Sequence, residues 1–183
     1  MTRMKITLIT ALLWTSPIAA QTALERVIEL PAHERLQTIR TDANNTLAAF
    51  ETDGCSGYQS QTWEFIATYI PSFEEAHEKH PPWENCCITH DRAYHSGGFN
   101  SQAKASFDAR EIADQKLYEC VIQTATDRQA ELSKIYGMAP AQVDTAYTAI
   151  ANAMYAAVRL GGAPCSGLPW RWGYGYKNCG LFD

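Results

Sequence analysis

The run Cys86-Cys87-Ile88-Thr89-His90-Asp91-Arg92-Ala93-Tyr94 joins two adjacent cysteines to a histidine and an aspartate within helical reach. Wound as a helix, it places Cys86, His90 and Tyr94 on one face at four-residue steps, with Cys87 and Asp91 on the neighbouring row. A disulfide at Cys86 would anchor the helix one turn before the histidine. The imidazole would then stand on a rigid element, as a general base requires. Asp91 is offset from His90 by about 100° around the axis and so faces a different ligand.

Whether those cysteines are oxidised depends on the compartment. Met1-Thr2-Arg3-Met4-Lys5 is a short basic start, followed by the apolar stretch Ile6 to Trp14 and by Ser16-Pro17-Ile18-Ala19-Ala20. The pattern predicts a secretory signal over residues 1–20, because the apolar run is far shorter than the ~20 residues a bilayer span needs. Residues 21–183 then form one exported domain, secreted or periplasmic, large enough for its own core. Arg3 and Lys5 leave with the signal, so the net charge moves from −5 to −7. So acidic a chain is a poor partner for nucleic acid or for anionic lipid held by charge alone. All six cysteines, Cys55, Cys86, Cys87, Cys120, Cys165 and Cys179, lie beyond the signal. An even count in an exported chain reads as three disulfides, for which six cysteines allow 15 pairings. Cys86 and Cys87 are adjacent and poorly placed to bond to each other, so two elements are stapled to one helix.

Pattern and composition predict a mainly α protein, with helices over 31–50, 60–79, 83–95, 101–136 (in one or two pieces) and 140–160. In the last, Val143, Tyr147, Ile150, Met154 and Val158 recur at three- and four-residue intervals before Gly161-Gly162, a core stripe with a stop. The one strand signal is weak: Trp170, Trp172, Tyr174 and Tyr176 alternate in the tail.

Two further segments bear on the chemistry. Thr52-Asp53-Gly54-Cys55-Ser56-Gly57-Tyr58 has the glycines and small polar residues that let a backbone turn carbonyls toward a hard cation, and calcium takes six to eight oxygens in irregular geometry. The same composition also makes an ordinary turn. In the helix from Phe107 to Val121, Phe107, Asp114, Tyr118 and Val121 share a face, so Asp114 interrupts an apolar stripe. A buried carboxylate is costly unless paired. If Cys120 bonds to Cys86, Asp114 can meet His90, fix its tautomer and stabilise the imidazolium. Asp108 falls nearer the charged face with Glu111.

Cys86-Cys87-x-x-His90-Asp91-x-x-Tyr94 resembles the active-site helix of the secreted phospholipase A2 superfamily. Asp114, six residues before Cys120, is similar to that family's second-helix aspartate and cysteine, and Thr52-Asp53-Gly54-Cys55 resembles its calcium-loop entry, as in bacterial and fungal members. The likeness covers about Thr52 to Val121. It implies a disulfide-stapled fold with two antiparallel active-site helices and a calcium-binding loop, and hydrolysis of the sn-2 ester of a phospholipid in a membrane or micelle, with no obligate protein partner. His90 would be the base, Asp114 its orienting partner, Tyr94 a supporting residue and Asp91 a Ca2+ ligand. Carbonyls of Gly54, Ser56 and Tyr58, with the Asp53 side chain, would complete much of the metal shell, and the Ser56 N–H would join calcium at the oxyanion. The implied disulfides are Cys86 with Cys120 and Cys55 with Cys87, leaving Cys165 with Cys179. Two departures stand out: some 30 residues separate Ser56 from Asn85, longer than the family's usual link, and Ser56 and Tyr58 stand where many members carry glycine.

Other readings compete. Cys86, Cys87, His90 and His95 could form a zinc cluster, although the export signal and the even cysteine count favour disulfides. His77, His80 and His95 read as isolated polar or capping residues. The tail aromatics suit either a lipid headgroup boundary or a flap packed on the body. Trp83 reads as a core anchor at a helix start. A non-enzymatic toxin on the same scaffold and an acyl hydrolase with another ester substrate are the alternative functions.

Overall fold

The computed structural model describes residues 17–55, 74, 79–99 and 101–180, with side chains from 24 onward. Among these residues the chain forms five helices and no strand: α1 (Pro17–Thr41), α2 (Glu84–Ser96), α3 (Ala103–Asp127), α4 (Gln129–Tyr136) and α5 (Pro140–Gly161). The helix predicted over 60–79 falls almost wholly outside the described residues.

Helix α1 starts and stops earlier than the sequence pattern predicts. Pro31 lies inside it rather than at its start. Asp42 ends it, because its carboxylate accepts the Asn44 backbone N–H at 2.9 Å and its carbonyl accepts the Asn45 N–H at 3.0 Å. Such an Asx turn offers the backbone a competing hydrogen-bond pattern. The buried positions Glu29, His33, Leu36 and Gln37 are the stripe by which α1 docks.

Helix α3 packs against the other four helices. It runs antiparallel to α2: Cys86 is bonded to Cys120, His90 meets Asp114, and Tyr94 meets Arg110. The segment 101–136, read as one or two pieces, is two helices that meet at Arg128. In α5, Val143, Tyr147 and Met154 are buried, with Ile150 and Val158 packed against the same core, so the predicted stripe is the core face. Trp83 precedes α2 and packs edge-on against Tyr147, ring centroids 5.4 Å apart.

The three bridges are Cys55–Cys87, Cys86–Cys120 and Cys165–Cys179. In the chain-entropy model each contributes roughly 3 to 4 kcal/mol. Both members of the adjacent pair are used, one on each side of α2. With both sulfurs committed, the zinc arrangement has no thiolate to offer.

The tail is a series of turns, not a strand. Its backbone caps α2: the Gly173 N–H donates to the Tyr94 carbonyl at 2.6 Å and the Gly175 N–H to the His95 carbonyl at 3.0 Å. The Tyr94 carbonyl also accepts the Gly97 N–H at 3.1 Å, so the tail adds a second donor there and pairs the His95 carbonyl at the helix end. The glycines between the aromatics permit the approach. A Cβ at Gly173 (φ 76°) would lie 2.6 Å from Leu36 Cδ1, and one at Gly175 would collide with the His95 ring. Trp172 is thereby buried against Tyr94, centroids 5.0 Å apart, so that part of the tail is a flap packed on the body.

Candidate active site

The antiparallel pairing of α2 and α3 brings His90 and Asp114 together in the interior. His90 Nε2 lies 2.9 Å from Asp114 Oδ1, and the Tyr94 hydroxyl donates to the same oxygen at 2.7 Å. Arg159 of α5 donates to the other oxygen at 2.9 Å. Asp114 is completely buried, and its three partners offset the cost of an interior charge.

The surrounding shell is more ionic than the sequence suggests. Arg110, also fully buried, donates to Tyr94 Oη at 3.1 Å, to the Val158 and Arg159 carbonyls at 2.7 and 2.8 Å, and to Glu29. Arg159 reaches Glu25 at 2.8 Å. Two buried arginines thus face two buried carboxylates, Asp114 and Glu29, with Glu25 at the rim. Pattern reading singled out neither arginine, yet both had a signal. Arg110 lies on the Phe107–Asp114–Val121 face, and Arg159 continues the four-residue row Val143, Tyr147, Ala151, Tyr155.

Electrostatics follow this packing. Burial pulls the His90 pKa down, but the hydrogen bond to Asp114, then the proximity of Asp91 and the charge of both, reverse the effect. The net shift is upward from 6.5. Burial, followed by the Asp114 charge, pushes the Tyr94 phenol well up, so it remains a donor. Because Nε2 is engaged by Asp114, the other ring nitrogen is the one left to act. It points toward Asp91, with Nδ1 to Asp91 Oδ1 at 3.9 Å.

Asp91 faces the 51–55 segment. Its Oδ2 accepts the Thr52 hydroxyl at 2.5 Å, and Thr52 Oγ1 accepts the Gly54 N–H at 3.1 Å. Cys55–Cys87 pins this segment to α2. Beside it lies a cleft of about 330 Å³ lined by Glu51, Thr52, Asp53, Asp91, Pro169, Trp170 and Tyr174. Asp53, Gly54 and Asp91 are therefore neighbours. Ser56 and Tyr58, the other expected loop residues, lie outside the described residues, as does His77.

Asp108 pairs with Arg26 at 2.7 Å, away from His90. His95, read from sequence as an isolated polar or capping residue, is instead buried between Phe50 and Tyr174, because the tail folds back over the end of α2. Ser106, His33 and Glu29 form a serine–histidine–carboxylate chain, with Ser106 Oγ 2.9 Å from His33 Nδ1 and His33 Nε2 3.6 Å from Glu29. Ser106 and His33 have no exposed surface, and Trp172 Nε1 also donates to the serine at 3.0 Å. No substrate reaches that serine; the chain braces α1 against α3.

No protein-family model, curated protein or solved structure matches this chain.

Proposed function

We propose that this protein is a calcium-dependent phospholipase A2, hydrolysing the sn-2 acyl ester of a glycerophospholipid to a fatty acid and a lysophospholipid. The observation that carries the proposal is the buried His90–Asp114 pair, whose remaining imidazole nitrogen faces a carboxylate beside an open cleft. The phospholipase-like arrangement of two antiparallel helices and a disulfide-pinned loop belongs to the same proposal.

The donor set suits calcium. Among the described residues no lysine or arginine pairs with the buried Asp91, so a cation would satisfy it. No group of three or more His, Cys, Asp or Glu side chains that could hold a metal occurs among the described residues. Backbone carbonyls must then complete the shell, which calcium accepts. Asp91, Asp53 and the Gly54 carbonyl would hold the ion, with the Ser56 and Tyr58 carbonyls expected from sequence. When bound, calcium supplies Lewis-acid polarisation of an ester carbonyl.

The chain's own residues do the proton work. His90 Nδ1 takes a proton from water as the oxygen adds to the ester carbon, and Asp114 stabilises the imidazolium. The alkoxide of the departing lysophospholipid then takes that proton back. Tyr94 and Arg159 keep Asp114 aligned.

Fatty-acid release from mixed micelles, with calcium titrated against wild type and His90→Gln, tests the proposal. Activity that rises with calcium and falls by roughly two orders of magnitude or more in His90→Gln is expected. Undiminished activity in EDTA would remove the metal from the mechanism.

A further inference from the structure

The cleft beside Asp91 is acidic on only part of its wall. Its other walls are Trp170 and Tyr174, with Pro169 beside them, all three within the loop closed by the Cys165–Cys179 bridge. Both rings are held before any ligand arrives. Trp170 packs its six-membered ring directly over Gly161, where a Cβ would collide with it. Tyr174 donates its hydroxyl to the Glu51 carbonyl at 2.7 Å and rests edge-on against His95, centroids 5.1 Å apart.

The charge lining the cleft is of one sign. Glu51, Asp53 and Asp91 line it, and no lysine or arginine is among its described lining residues. Asp53 and Asp91 are the acids proposed for calcium; Glu51 is a third, on the aromatic side. An acid beside two fixed rings suits an organic cation, because the face of an aromatic ring attracts an ammonium group and is strongest for tryptophan. An anionic headgroup would find no lysine or arginine among the described lining residues, and Glu51 would repel it on the aromatic side. At about 330 Å³ the cleft lies at the small end of ligand sites, enough for a headgroup but not for a whole lipid.

We propose that Trp170, Tyr174 and Glu51 form a subsite for the ammonium end of a zwitterionic phospholipid headgroup, so that the protein selects choline-type lipids over anionic ones. The lipid rests on the phospholipase proposal; the ammonium subsite rests on the cleft alone.

The test uses mixed micelles of phosphatidylcholine or phosphatidylglycerol with identical acyl chains, and wild type beside Trp170→Leu and Glu51→Gln. Wild type is expected to favour phosphatidylcholine in kcat/KM, and Trp170→Leu to shrink that ratio by roughly 5- to 30-fold, the range of a desolvated cation–π contact. Glu51→Gln should shrink it in the same direction. Equal use of the two lipids by wild type, or an unchanged ratio in Trp170→Leu, would overturn the subsite. Phosphocholine binding by calorimetry, against glycerol phosphate, reads the cleft without turnover. If no lipid is hydrolysed, the phospholipase proposal fails, and the subsite then stands on phosphocholine binding that Trp170→Leu abolishes, or falls without it.

Discussion

Asp114 receives His90, Tyr94 and Arg159 on two oxygens, and what each donor does can be separated by substitution. Removing the proposed base in His90→Gln should lower kcat by roughly 10²- to 10⁴-fold, measured on micelles. In calcium-free protein the His90 imidazole should titrate above 6.5 by NMR, since its folded pKa is raised. Its contribution to stability is therefore full below 6.5 and fades as pH rises through the folded pKa. Asp114→Asn removes the largest raising cause, so the same resonance should titrate lower; a resonance that stays put would detach His90 from Asp114. Arg159→Leu leaves Asp114, Glu25 and Glu29 short of a buried counter-charge. A loss of about 3–5 kcal/mol in urea unfolding is expected.

Helix α2 is gripped from both sides, by the 51–55 segment through Cys87 and by α3 through Cys86. Replacing Cys86 and Cys120 by alanine should lower stability by roughly 3–4 kcal/mol in the chain-entropy model. It should also lower kcat, because that bridge fixes the spacing of α2 and α3 one turn before His90. Replacing Cys165 and Cys179 releases the flap instead. The thermal midpoint should fall, with KM changing more than kcat, since Trp170 and Tyr174 line the cleft while the His90–Asp114 bond does not involve them. Equal kcat losses in the two pairs, compared by melting and steady-state kinetics, would contradict this division.

Across the molecule, acid stability should depend on Glu29. Burial raises its pKa, but the adjacent His33 ring and then the charge and hydrogen bond of Arg110 pull it below 4.5. The stability it supplies is present above 4.5 and lost as pH falls through the folded value. Glu29→Gln should weaken the protein at neutral pH yet flatten its acid-unfolding curve, as read by circular dichroism. The site was legible in sequence where helical spacing alone places a residue: Cys86, His90 and Tyr94 at four-residue steps, and Asp114 breaking an apolar face. Arg110 and Arg159 were not legible as core, because a charged side chain reads as surface until its partners from other helices are known. The C-terminal limit of α1 depended on the Asx turn at Asp42, and the tail aromatics lost their strand pattern to glycines that let the backbone cap α2. The side-by-side cysteines also carry a hazard for production. A bonding slip of one position, Cys55 to Cys86 and Cys87 to Cys120, yields an isomer of identical mass with no thiol left over, yet demands that the helix turn by about 100° and swing its imidazole off Asp114. Refolded material can therefore look fully oxidised and lack the His90–Asp114 contact, so a reshuffling redox buffer and disulfide mapping of the peptides belong in any preparation.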